Sequence, residues 1–233
     1  SSDVCSSDLM NRFLLAVAAI LATTGTIREA NAQDQEFRHV IVTLTSGEKV
    51  DGYLKRGWHA ESSVFKNPNY SFKITKTPED KEVIKFTADS VISVDYTETT
   101  EVNPDGIRWE SHDIASPGLT NRNRTFRRLV CVNKVGNNAS VYWWKGWETK
   151  QIGKIQRREL VTYYGILFHN DPDSVVYPYM LVSTVMMDKQ HPGLKEYCKN
   201  WFKGEEGKIR KKKYKDDETW ILDMYDAYLT EKQ

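Results

Sequence analysis

A β-hairpin at residues 39–55 constrains the fold of this chain more than any other stretch. Apolar side chains recur at every second position of its first strand, the period of a half-buried strand: Val40, Val42 and Leu44. Gly47 supplies the tight reversal, because glycine adopts a positive φ without steric cost. Gly52 interrupts the apolar face of the return strand and predicts a bulge or a sharp bend. We therefore expect the bent hairpin with which a small barrel begins.

The rest of the chain divides by its turn signals and by the period of its apolar residues. Five short strands are predicted before residue 99, followed by a stretch without either period that is rich in Pro, Gly, Asn and Ser. The predicted fold class is α+β, and its parts are a small antiparallel sheet or barrel-like region at 33–98, a connecting loop at 99–125, and a second antiparallel β segment with C-terminal helices at 126–233.

The first 32 residues predict the cellular location of the protein and are not expected to be part of its fold. Residues 1–9 precede Met10 and are interpreted as an extraneous leader. Residues 10–32 form a signal peptide, with an apolar stretch at 13–22 and a small-residue cleavage site ending at Ala32. That apolar stretch is about half of the ~20 residues that span a bilayer. We expect cleavage after Ala32 and a soluble product that is periplasmic or secreted.

Composition narrows the classes of partner. The 233 residues carry a formal net charge of +1, so no bulk field favours nucleic acid. The sequence contains no Gly-rich phosphate-binding loop and no HExxH or similar metal-ligand spacing, so we predict no cofactor and no metal. The partner is unknown; an envelope protein and a polysaccharide are the candidates.

Two cysteines, Cys131 and Cys198, remain beyond the predicted signal peptide. In an exported protein an even count permits a disulfide between them. The alternative is two buried free thiols that pack as small hydrophobes. Spacing alone does not decide between these arrangements.

The C-terminal third changes character. Residues 179–187 fit a helix and a strand almost equally, and a further helix is predicted to open at Pro192. The last helix begins near Asp216 and carries a broad apolar stripe that we expect to dock on the β layer of the same chain. Residues 208–215 hold six basic side chains in eight; we interpret them as a solvated connector, with an anionic partner as the alternative.

The most unusual local composition is a segment that combines four large aromatic residues: Tyr142, Trp143, Trp144 and Trp147. Such residues can form a flat platform that stacks on sugar rings or contacts a partner. Strand alternation sends Trp143 to the face opposite Tyr142 and Trp144, so packing in the core is the competing interpretation.

Hydrolase chemistry has only scattered candidates. His112 and Asp113 lie near Ser116, but no G-x-S-x-G elbow frames that serine. His169 opens a loop with two carboxylates that could contact a cation, but tight turns favour Asn, Asp and Pro for their own reasons. We therefore predict no catalytic residues.

Two resemblances are present. The pattern of Leu44, Gly47, Gly52 and Leu54 resembles the first half of an Sm-like motif, which implies the shape of a small barrel. The Asp and Asn with which Sm-like proteins hold RNA are missing from residues 55–59, so RNA binding is not implied. More broadly, the chain is similar to a group of uncharacterised secreted bacterial proteins, through four stretches: Gly47–Leu54 (GxxxxGY[IL]), Phe126–Val130, Leu194–Cys198 and Tyr214–Tyr225.

Three functional hypotheses follow. The first is an exported, non-catalytic envelope or secreted protein that acts by binding or structural contact. The alternative is a glycan-binding module that uses residues 142–147. The third, and weakest, is an unrecognised hydrolase around His112 or His169.

Overall fold

The computed structural model describes residues 37–55, 58, 70–98, 106–115, 125–152, 155–182 and 185–232. The predicted leader and signal peptide lie outside these residues, and so does Ser116. The described part of the chain is rich in strands and ends in short helices, which confirms the α+β class.

One large sheet contains all ten strands of the described residues. The strands are β1 (Phe37–Leu44), β2 (Lys49–Lys55), β3 (Ser71–Thr75), β4 (Ile84–Thr87), β5 (Val91–Tyr96), β6 (Arg108–Ala115), β7 (Thr125–Val135), β8 (Ala139–Ile152), β9 (Ile155–Phe168) and β10 (Val175–Pro178). Their order is β10-β9-β8-β7-β6-β5-β1-β2-β3-β4. The two β segments expected from the sequence are thus continuous, because β5 pairs with β6.

The predicted hairpin is β1 and β2, and both of its glycines have a visible reason. Gly47 has a φ of 87°, as the tight turn requires. At Gly52 a Cβ atom would lie 2.7 Å from the carbonyl oxygen of Thr75, so glycine lets β3 approach β2 closely. β1 and β2 share a hydrophobic cluster with β3, β4 and β5, in which Val40, Val42 and Val94 are fully buried.

The prediction of a connecting loop over residues 99–125 is wrong for residues 108–115, which form strand β6. Residues 108–115 pair with β5 and β7 at the centre of the sheet. The sequence hid this strand because one of its two faces carries Arg108, Glu110 and His112, where a buried strand normally carries apolar residues.

Strands β6 to β10 close into a five-stranded barrel. β10 pairs antiparallel with β9 and parallel with β6, which joins the two ends of this part of the sheet. The inward side chains form a small hydrophobic cluster of Ile114, Val130, Tyr142, Trp144 and Val176. The polar positions of β6 lie on this same inward face, because side chains alternate along a strand.

Five helices of the described residues follow β10: α1 (Tyr179–Val182), α2 (Val185–Gln190), α3 (Leu194–Asn200), α4 (Gly204–Lys213) and α5 (Trp220–Lys232). Residues 179–182 and 185–190 are therefore helical, and the predicted helix beyond Pro192 is confirmed. The basic run at 208–215 lies largely in α4 rather than in a connector. None of the helices in the described part of the chain has the length and apolarity to cross a membrane.

The predicted docking of the last helix is confirmed. Ile221, Met224 and Tyr225 of α5 are buried in a cluster that also contains Ile166 and Phe168 of β9. The helical layer thus covers the outer surface of the barrel.

Both cysteines are free in the structure, the packed arrangement that the sequence left open. Cys131 is buried in the cluster of the N-terminal strands, and Cys198 packs beside the cluster under the helices. Burial raises the pKa of Cys131 to about 12, so its thiol is protonated and unreactive at neutral pH.

Candidate functional site

The aromatic segment of β8 is divided between the two faces of the sheet. Tyr142 and Trp144 point into the barrel and are only 4% and 3% exposed. Trp143 points the other way, where its ring meets that of Trp109 edge-on at 5.0 Å. Trp147 is half-buried. Tyr142 and Trp144 therefore do not form the exposed platform that the sequence suggested.

Inside the barrel, two aromatic rings lie over two glycines. Trp144 and Tyr163 occupy paired positions of β8 and β9, and their rings stack at 5.9 Å with an angle of 15°. A Cβ atom on Gly146 would lie 2.7 Å from the Tyr163 ring, and one on Gly165 would lie 2.9 Å from the Trp144 ring. Each glycine thus provides the space for the ring from the opposite strand.

We expect Gly146→Ala to lower the free energy of unfolding by about 1–3 kcal/mol, because the new methyl group must displace the Tyr163 ring. The measurement is urea unfolding of the single variants and of Gly146→Ala combined with Tyr163→Leu. Tyr163→Leu removes the ring, so the added methyl group should cost much less in the double variant. An equal cost in both backgrounds would contradict this account.

A carboxylate satisfied by three donors lies on the inward face of β6. Glu110 accepts hydrogen bonds from Arg108 Nε at 2.7 Å, Tyr142 Oη at 2.8 Å and His112 Nε2 at 3.1 Å. The bonds from His112, Arg108 and Tyr142 outweigh the effect of burial and lower the pKa of Glu110 to about 2. Burial and the nearby charge of Glu110 raise the pKa of Tyr142. Glu110 is therefore an ionised, fully engaged structural group at neutral pH.

The lowered pKa of Glu110 predicts a dependence of stability on pH. Its contribution is complete above the ordinary glutamate pKa of 4.5 and is lost as pH falls towards about 2. Glu110→Gln should flatten the decline in stability over that range, as measured by thermal melting at a series of pH values. Glu205→Gln, at an exposed carboxylate, is the control that should leave the decline unchanged.

Arg128 of β7 is the unusual charge of this face. It stands opposite His112 in the β6–β7 pairing, and its guanidinium carbon lies 4.0 Å from the centre of the Phe126 ring. Its Nε is buried without a hydrogen bond, and no acidic side chain of the described residues forms an ion pair with it. Burial lowers the pKa of Arg128 to about 10, which leaves it charged at neutral pH.

The neighbouring Arg127 differs from Arg128 because its guanidinium has hydrogen-bond and ion-pair partners. It points to the opposite face, where its Nε lies 3.1 Å from Ser111 Oγ. Its Nη1 lies 3.4 Å from Asp113 Oδ2. Arg127 is thus paired with an acid directly across the strands, whereas Arg128 has no equivalent partner in the part of the chain that the structure describes.

The hydrolase candidates are separated by the fold. His112 and Asp113 point to opposite faces of β6, and Asp113 is engaged by Arg127. A different serine, Ser140, lies 2.8 Å from Nε2 of His169. Ser140 is only 3% exposed, so its hydroxyl is inaccessible as a nucleophile in this conformation. Among the described residues, no group of three or more His, Cys, Asp or Glu could hold a metal ion.

Arg128 and Glu110 were not predicted as site residues from the sequence. A signal was available at residues 126–132, where apolar positions alternate and Arg128 occupies a position between Phe126 and Val130 on the same face. The importance of Arg128 depends on which residue the folded sheet places opposite it, here His112, and no local pattern encodes that pairing.

Comparisons with protein-family models, with curated proteins and with solved structures find no match to this chain. The residues around Arg128 must therefore be interpreted from their own geometry.

Proposed function

We propose that this chain is an exported, non-catalytic binding protein whose ligand presents an anionic group to Arg128. The observation that carries the proposal is a charged, partly buried guanidinium without an acidic partner among the described residues. Glu110, an acid on the same face, is already held by three donors. Arg128 thus retains hydrogen-bonding capacity that Glu110 does not use.

Desolvation gives the physical reason for a ligand. An arginine that is partly removed from water without a compensating anion costs free energy. A carboxylate is the matching partner, because its two oxygens accept two parallel N–H bonds from a planar guanidinium. His112 lies beside Arg128 and adds a second polar group at the same place.

The same groups favour binding over catalysis. A general acid or base works best when its pKa is close to the working pH. The pKa of Glu110 is lowered to about 2, and burial raises that of Tyr163 to about 12. Both groups are therefore in a single protonation state near neutral pH.

Titration calorimetry with citrate and with glucuronate tests the proposal. We expect wild-type protein to bind at least one of these carboxylates and Arg128→Gln to bind it about 10- to 100-fold more weakly, as for loss of a charged hydrogen-bonding group. Arg127→Gln, on the opposite face, should retain the affinity. Equal binding by wild type and Arg128→Gln would overturn the proposal.

A glycan ligand for the aromatic segment is a second candidate. It is favoured by Trp147, which is half-buried and whose Nε1 has no hydrogen-bond partner in the described structure. Trp147 lies on the face opposite Arg128, so the two sites are separable. A glycan array with wild type and Trp147→Ala tests it: a signal that survives the substitution would exclude this residue.

Export is proposed from the signal-peptide pattern of residues 10–32. The expected mature N-terminus is Gln33. N-terminal sequencing of protein recovered from the periplasm or the medium checks this, and a chain beginning at Met10 would contradict it.

A further inference from the structure

Strands β7 and β8 separate close to Arg128. They pair at residues 131–135 and 140–143, and no pairing between them continues beyond Trp143. β7 continues from Val130 back to Thr125 with β6 as its hydrogen-bonded neighbour. β8 continues to Ile152 with β9 as its neighbour. Each strand therefore has an edge that no other described strand occupies.

An unoccupied strand edge presents a row of backbone N–H and C=O groups that can pair with another chain. Here the edge of β7 that no described strand occupies carries Arg128. The Cβ atom of a residue opposite Arg128 on an added strand would lie about 4.5–5.5 Å from the Cβ atom of Arg128. A carboxylate on that residue could therefore reach the guanidinium.

We propose that the occupant is an extended peptide segment that adds to the edge of β7 and places an Asp or Glu opposite Arg128. This inference rests on the proposed function and names its ligand class. Backbone hydrogen bonds supply the affinity in this mode of recognition, and alternate side chains supply the specificity. Charge complementarity selects the acid, because Arg128 has no other acidic partner in the described structure.

Phe126 predicts a second position in the sequence of the bound peptide. Phe126 lies two residues from Arg128 on the same face and is partly buried. An added strand would therefore carry an apolar residue two positions from its acid. The preferred pattern is acid-x-apolar, in which x points to the other face.

The probe is acetyl-Thr-Val-Thr-Glu-Thr-Val-Thr-amide, in which a valine faces Phe126 whichever way the peptide runs. We expect it to bind wild-type protein and Arg127→Gln alike, and Arg128→Gln about 10- to 100-fold more weakly. Replacing its glutamate by glutamine should weaken binding to wild type by a similar factor. N-methylation of alternate amides should do so as well, because it removes the backbone donors.

Hydrogen exchange locates the peptide. Binding should slow exchange at amides of residues 125–130, and leave exchange in helix α4 unchanged. Suppose that citrate or glucuronate binds through Arg128 while the peptide does not, or that N-methylation has no effect. The strand-addition inference would then fail while the anion site stands. If the Arg128→Gln variant binds every probe as wild type does, both proposals fail.

Discussion

Truncation of Tyr225 to alanine is expected to destabilise the protein by about 3–5 kcal/mol. Tyr225 is 1% exposed, and its ring packs on Phe168 of β9 at 4.5 Å and on His191 at 5.6 Å. Its removal would leave a cavity between α5 and the barrel that the rigid strands cannot fill. Urea unfolding followed by far-UV circular dichroism measures the effect, which is a large part of a domain's usual stability.

Thr230→Ala on the same helix is the matched control. Thr230 is exposed, so its loss should change stability by no more than about 0.5 kcal/mol. An unchanged unfolding midpoint for Tyr225→Ala would show that α5 does not contribute to the cooperative unit. Trp220 is the weaker choice for this test, because it is only half-buried, against Phe202 and Tyr179.

Trp109→Ala should lower the free energy of unfolding by a similar ~3–5 kcal/mol. It also tests whether the two halves of the sheet, β1–β5 and β6–β10, unfold together. Trp109 is 1% exposed on β6, between Trp58 of the N-terminal half and Trp143 of β8. Its ring thus belongs to both halves. We expect a single transition, shifted to lower denaturant, when circular dichroism and tryptophan fluorescence are recorded on the same samples.

The control for Trp109→Ala is Val83→Ala, at an exposed apolar residue, which should be nearly silent. Two transitions, of which one keeps the wild-type midpoint, would show that the halves unfold independently. Trp109 and Tyr225 lie in different clusters, so their effects should add in the double variant.

Some elements were determined by the sequence alone because their signals are local. The β1–β2 hairpin needs only alternating apolar residues and a glycine with positive φ at 47. The helix α5 needs only an apolar stripe at a spacing of three to four residues, and that stripe must be covered wherever the chain places it. Both could be predicted because the physical cause lies within some fifteen residues.

Tertiary structure decided the position of β6 and the character of the candidate site. Glu110 is tolerated on the inward face of a strand because Tyr142, distant in sequence, donates a hydrogen bond to it. Arg127 and Arg128 are adjacent and chemically identical, yet within the described strands only Arg127 meets an acid. Strand alternation separates these two arginines, but the partners available on each face come from the pairing of distant strands. Burial and pairing of a charge are properties of that assembled surface, and no local pattern of residues contains them.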